Sequence, residues 1–280
     1  MFFLRYTHFG SRRKIINGHK LIFLKNNISI KYFYKFALIN LTIVIKSNAI
    51  FMLSELYKQH PKHYIAVDCS IFGYEDAELK LLLYPRGFEP SIGKWSLMGG
   101  FVQESESLEE AARRVLLQTT GLKDIFLEQG SAFSSPDRDP GARVVSMTFV
   151  ALIRIDIHDK DLVRENGAHW WPVTKLPTLI FDHEAIVENA LGLLQQKASI
   201  DLIGKELLPE MFTLMQLRNL YEAIFQKTFD PGNFRKKVLS IGILEKLNLK
   251  NTTESKKGAF YYQFKKSDTD MRSERIVKFP

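Results

Sequence analysis

The chain has 280 residues, enough for one large or two modest domains with ample core. Its 45% hydrophobic and 25% charged content is that of an ordinary globular protein, and its one cysteine, Cys69, excludes an intramolecular disulfide and fits a reducing cytoplasm. The net charge of +8 is unevenly spread: residues 1–50 carry nine Lys/Arg and no Asp or Glu, residues 51–200 carry 15 against 21, and residues 201–280 carry 15 against 10. An acidic middle followed by a basic end points to nucleic acid at the C-terminal part.

Residues 1–51 are rich in Phe, Ile, Lys, Asn and Tyr. The apolar stretches Leu21–Leu24 and Phe36–Ile45 are bounded or interrupted by Lys or Asn. Neither a signal peptide nor a membrane span of roughly 20 apolar residues is expected. The segment reads as A/T-rich upstream DNA translated from an early start, with Met52 opening the native protein. The other reading is a disordered basic arm.

A mixed α/β unit is expected next, within residues 52–200. Strands are predicted at Tyr64–Phe72, with Val67, Cys69 and Ile71 on one face and Ala66, Ser70 and Phe72 on the other, and at Leu79–Tyr84. A turn-rich loop at Phe88–Lys94 leads through Trp95–Leu97 to Gly99-Gly100, a pair suited to a tight loop and close backbone approach. Leu108–Gln118 lacks Gly and Pro and should be helical, with Ser107 as N-cap. Glu109 and Glu110 read as a solvated helix face. Strands follow near Ile125–Ala132, Val144–Ile155 and Trp170–Val173, then a helix from His183 to about Lys197. Asp182 is as well suited to cap that helix as to hold a ligand.

The run Gly100–Leu122 resembles the Nudix box, a signature of enzymes that hydrolyse diphosphates. Gly100, Glu106, Arg114, Leu116, Gly121 and Leu122 fall in register. Three carboxylates of the pattern are replaced by Val115, Gln118 and Thr119. Positions 115, 118 and 119 share one helix face. With Glu there, that face would hold the hard divalent cations the chemistry needs; as it stands it carries no charge. The resemblance therefore implies a domain without catalytic residues, metal or cofactor. Glutamates placed at 115, 118 and 119 are expected to spare DNA binding and to restore metal binding. The rival is a working hydrolase with acids supplied by Glu106, Glu109, Glu110 or Glu128. The seven His lack paired metal-ligand spacing.

From Leu207 the pattern changes, opening a domain over residues 201–280. Thr213 is a candidate N-cap for a helix whose Leu214, Leu217, Leu220, Tyr221, Ile224 and Phe225 follow core spacing. Asp230-Pro231-Gly232 turns into a helix Asn233–Ser240 with apolar Phe234, Val238 and Leu239. Strands at Ile243–Leu249 and Ala259–Lys265 flank a polar loop. Helix, turn, basic helix and hairpin make a winged helix-turn-helix. Asn233, Arg235, Lys236 and Lys237 would enter the major groove, and Lys256 and Lys257 on the wing would meet phosphates. A winged helix that binds protein instead would lack salt-dependent DNA affinity.

With the loop Ser134–Arg143 and the stretch Leu176–Ala190, these pieces resemble the Nudix-related transcriptional regulators over about residues 52–265. The resemblance implies an α+β protein: a Nudix-like α/β/α sandwich, then a winged helix. It implies a cytoplasmic homodimer on double-stranded operator DNA, with no membrane association. An effector near Arg86, Trp95, Glu106, Arg138 and Arg143 would reorient the winged helices and release the DNA. The group includes repressors of NAD metabolism that respond to ADP-ribose and members linked to pentoses such as arabinose. Loss of the metal ligands tilts the expectation toward a free sugar.

Overall fold

The computed structural model describes residues 18–200, 204–253 and 258–265. It divides into two units, residues 1–62 and 63–280.

In the first unit the described residues form one helix, α1 (Gly18–Lys58). It contains no Gly or Pro after its first residue and ends ahead of Pro61. The structureless arm expected here is therefore helical. Its Tyr34–Lys58 segment is long and apolar enough to cross a membrane by length and composition. That corrects the expectation that no stretch qualifies: a continuous helix dilutes Lys35 and Lys46 within a longer apolar run.

The second unit opens with the hairpin β1 (Tyr64–Glu75) and β2 (Glu78–Pro85), then β3 (Trp95–Ser96), β4 (Met98–Phe101) and α2 (Leu108–Thr120). After these come β5 (Glu128–Phe133), β6 (Val144–Arg154), a short α3 (Lys160–Glu165), β7 (His169–Pro172) and α4 (His183–Ile200). The sheet runs β3-β2-β1-β6-β5, with β4 added on β1 and β7 on β2. β1 and β6 are parallel, from Tyr64 beside Val144 to Tyr74 beside Arg154.

Alternation along β1 builds both layers. Val67, Cys69 and Ile71 pack with Ala111, Ala112, Val115 and Leu116 of α2. Phe72, Leu81 and Leu83 pack on the opposite face with Ile186, Val187 and Ala190 of α4. Ser107 caps α2 by a reciprocal capping box with Glu110, which is exposed as expected and also serves as a cap. The glycine pair lies in a strand rather than a loop, Gly99 beside Asp68 and Gly100 beside Val67. A Cβ at Gly99 would strike the Asp68 carboxylate, and one at Gly100 would lie 2.8 Å from Val115 Cγ2.

The C-terminal part comprises α5 (Gly204–Leu207), β8 (Phe212–Thr213), α6 (Leu214–Phe225), α7 (Pro231–Ser240), β9 (Leu244–Asn251) and β10 (Ala259–Phe264). The small sheet runs β8-β10-β9. Thr213 caps α6 with Gln216, and Asp230 caps α7, with Pro231 in its first turn. Phe234 and Val238 anchor α7, while Leu239 is 37% exposed rather than core. α6 does not stand apart from the sandwich: Leu217, Leu220, Tyr221 and Ile224 join the apolar cluster of Phe72, Leu81, Leu83 and α4. Gln195 Nε2 of α4 donates to the Ile224 carbonyl at 3.0 Å.

Candidate functional site

The central feature is a buried polar cluster on the face of β1 opposite α2. Asp68 is 6% exposed among apolar neighbours, so its charge must be met locally. Ser146 Oγ of β6 donates to Asp68 Oδ2 at 2.6 Å, and Arg138 Nη2 does so at 3.3 Å. Arg138 closes a bidentate pair on Asp182, with Nε and Nη2 each at 2.8 Å. Burial alone would lower the Arg138 pKa; the hydrogen bonds to Asp182 and the charge of Asp68 outweigh it and raise the pKa. The Leu97 amide donates to His183 Nδ1 at 3.1 Å, which leaves the proton on Nε2, 3.7 Å from Asp68 Oδ1. Burial holds the His183 pKa below its ordinary value, against the pull of Asp68 and Asp182.

Asp182 sits where the N-cap of α4 belongs, since its carbonyl accepts from the Ile186 amide. Its carboxylate, however, faces Arg138 and not the helix. The sequence offered Asp182 as cap or ligand; it is the anchor of an arginine.

Of the five residues expected to meet an effector, Arg138 belongs to this cluster, and Arg86, Trp95 and Arg143 contact the segments that carry it. Arg86 lies over the Phe88 ring at 3.9 Å and the Phe181 ring at 5.1 Å, its Nε donating to the Phe88 carbonyl. Trp95 packs edge-on against Trp171 and His169, and its carbonyl accepts from the Ile180 amide. Arg143 donates to the Ser135 carbonyl at 3.1 Å, bracing the loop that carries Arg138. Among the described residues neither Arg86 nor Arg143 pairs with a carboxylate. Arg138 is already neutralised by two. Glu106 is not brought here. It is gripped on the α2 side by Arg114, at 2.6 and 2.9 Å, and accepts from the Gln103 amide. The Arg114 hydrogen bonds push its pKa down to about 2.

The residues of the box do not fit a divalent cation. Val115 is buried beneath Gly100, and Thr119 Oγ1 donates to the Val115 carbonyl at 2.8 Å. Gln118 accepts from Arg114, and the remaining box carboxylate, Glu106, is held by the same arginine. Among the described residues no group of three or more His, Cys, Asp or Glu is placed to hold a metal ion. Cys69 is buried, which pushes its thiol pKa up and leaves it inert.

A cavity of about 620 Å³ lies at the far end of β6, lined by residues including Phe126, Arg154, Ile157, His158 and Lys197. It holds none of the expected effector residues. On the winged helix, Asn233, Arg235, Lys236 and Lys237 are all exposed on α7. Lys256 and Lys257 lie outside the described residues.

The NUDIX domain family matches residues 62–190, and the NrtR DNA-binding winged helix domain family matches residues 204–264. Shewanella oneidensis NrtR, in its crystal structure with a 27mer DNA, is 32% identical, with a TM-score of 0.60 over 72% of this chain and 93% of that one. The chain belongs to the NrtR family. As in other NrtR proteins, a Nudix domain is followed by a C-terminal winged helix. The ADPR-responsive transcriptional repressor NtrR of Acinetobacter baylyi is 27% identical over 245 residues, 86% of this chain and 98% of that protein. The ADP-ribose pyrophosphatase of Methanocaldococcus jannaschii is 36% identical over 131 residues, 46% of this chain and 73% of that enzyme. The expectation of a free sugar such as arabinose finds no support among these relatives, whose descriptions name ADP-ribose.

Proposed function

We propose that this protein is a DNA-binding transcriptional repressor released by ADP-ribose. In this reading residues 52–200 form a catalytically inert effector domain and residues 201–280 the DNA-binding domain. The observation that carries it is the pairing of an exposed basic α7 with a Nudix box whose metal-binding face is Val115, Gln118 and Thr119. Asn233, Arg235, Lys236 and Lys237 read the operator's major groove. Arg86 and Arg143, which face only carbonyls and aromatic rings, take the diphosphate by charge-assisted hydrogen bonds. Trp95 supplies an aromatic wall. Arg138 positions the loop between them. Two copies on a palindromic operator match the geometry of paired winged helices.

Hydrolysis finds little to work with. Glu106 is bound by Arg114, Glu110 caps α2 and Glu128 pairs with Lys197, which leaves Glu109 as the candidate acid without such a role among the described residues. The test is fluorescence anisotropy of the full chain on DNA from upstream of its own and neighbouring genes. Selective binding released by ADP-ribose and not by arabinose is expected. Binding equal on all fragments and lost in modest salt would defeat the reading, as would magnesium-dependent ADP-ribose turnover abolished by Glu106→Gln.

A further inference from the structure

The wing carries a feature that the polar loop between its strands does not explain. In the β9–β10 ladder, Lys250 pairs with Phe260 and Lys246 pairs with Tyr262. Four residues of β9 thus span the distance that two cover on β10, so β9 bulges by two residues between Lys246 and Lys250. On a regular strand these lysines would stand about 13 Å apart; here their partners are spaced by about 7 Å. Both ammonium groups converge on one ring, Lys246 Nζ at 3.5 Å and Lys250 Nζ at 4.8 Å from the Phe260 centroid.

The ring favours this convergence by drawing cations to its face, which offsets part of the repulsion between two like charges. Both lysines are exposed, and among the described residues neither has a carboxylate partner. Two ammonium groups held this close at a surface offer an anion a site that the aromatic ring alone does not neutralise. The register also fixes the side. Leu244, Tyr262 and Phe264 share the face of Lys246 and Lys250, and these apolar residues join the core formed by α6 and α7. The paired charges therefore belong to the helix-bearing face of the sheet, the face that packs on α6 and α7.

We propose that Lys246 and Lys250, gathered over Phe260, form the wing's phosphate clamp on DNA. The assignment rests on the DNA-binding reading above and moves the wing contact from the loop tip to the bulged strand. An ammonium resting on a ring still has N–H groups to offer a phosphate oxygen. Each lysine that neutralises a phosphate contributes about 0.9 to the slope of log K against log salt.

The full chain is titrated against its operator and a random duplex from 50 to 300 mM salt. Lys246→Met and Lys250→Met are each expected to lower the slope by about 0.9 and the double variant by about 1.8. The loss of affinity should be similar on both duplexes, because phosphates carry no sequence. Lys246→Arg, which keeps the charge, should keep the wild-type slope. Phe260→Leu keeps both charges but loses their platform, so affinity should fall about two- to fivefold. Arg235→Ala on α7 should instead lower preference for the operator. If the double variant keeps the wild-type slope while Arg235→Ala loses selectivity, the clamp is wrong and the DNA reading stands. If the wild-type chain shows no preference for any upstream fragment, both fall. Circular dichroism melts of each variant separate lost contacts from lost folding: a double variant that melts like wild type yet keeps the slope overturns the clamp.

Discussion

Arg138 and Asp182 lie 44 positions apart, yet the guanidinium meets the carboxylate through two hydrogen bonds of 2.8 Å. The pair ties the loop 134–143 to the first residue before α4, and α4 in turn holds the carbonyl of Ile224 in α6. A short mechanical path thus joins the proposed effector loop to the winged helix. Arg138→Met leaves Asp68 and Asp182 buried or half-buried without their cation. Urea unfolding should show a loss of about 3–5 kcal/mol, the usual cost of breaking a buried pair from one side. Arg138→Met with Asp182→Leu should lose less than the two single changes summed.

The Gln195–Ile224 contact should matter for communication more than for binding. In Gln195→Leu, ADP-ribose affinity and DNA affinity measured separately should stay within about twofold of wild type. The reduction of DNA affinity that ADP-ribose causes should shrink, because coupling is a free energy carried by contacts that differ between two states. Anisotropy titrations of operator DNA with and without saturating ADP-ribose measure it.

His183 and Glu106 both contribute to the acid limb of stability, beside Glu75, Glu110 and Asp156, whose carboxyls are also held below their ordinary range. His183 is held below its ordinary 6.5 by burial, and Glu106 is held at about 2 rather than 4.5 by Arg114. Both bind more protons in the unfolded chain, so stability rises with pH. The His183 contribution is complete above 6.5 and declines as pH falls below that value. The Glu106 contribution is complete above 4.5 and is lost as pH falls toward 2. His183→Gln should make the fall of melting temperature below pH 6.5 shallower, with the part due to His158 remaining, and leave the lower decline. Glu106→Gln should lessen the lower decline without removing it, since Glu75, Glu110 and Asp156 remain, and its part should shrink in salt because the Arg114 pair is partly exposed.

Restoring the acidic face is now a stability experiment as well as a metal experiment. Val115 is 3% exposed, so Val115→Glu buries a carboxylate without a partner and should cost on the order of 3 kcal/mol. In the triple variant with Gln118→Glu and Thr119→Glu, millimolar magnesium should raise the melting temperature, since an ion that binds only the folded chain stabilises it. The wild type should not respond.

Much of this was legible in the sequence, because it rests on local chemistry. Alternation along β1 gave both faces of the sandwich, and Ser107 and Thr213 each announced a helix start. The polar cluster was harder to see. Asp68 is a lone acid in an apolar strand, and nothing local says that Ser146, Arg138 and His183 converge on it from positions up to 115 residues away. Asp182 was misread because a short acid before a helix satisfies the capping pattern whichever way its side chain turns. The lysine clamp escaped because it depends on a bulge, and a bulge shifts register without changing the alternation that reveals a strand. The gathering of Arg86, Trp95 and Arg138 around Leu179–His183 follows from β3 bridging to Leu179, a pairing that no periodicity encodes.

The core shared by α6 and the sheet divides the winged helix into two evolutionary compartments. Residues such as Leu217 and Ile224 answer to the sandwich as well as to their own domain, and a change there is felt in both. The outward face of α7, with Asn233, Arg235, Lys236 and Lys237, is exposed and carries no part of that core. If α7 reads DNA as proposed, substitutions on that one exposed face could change the sequence read without disturbing the packing shared with the sandwich.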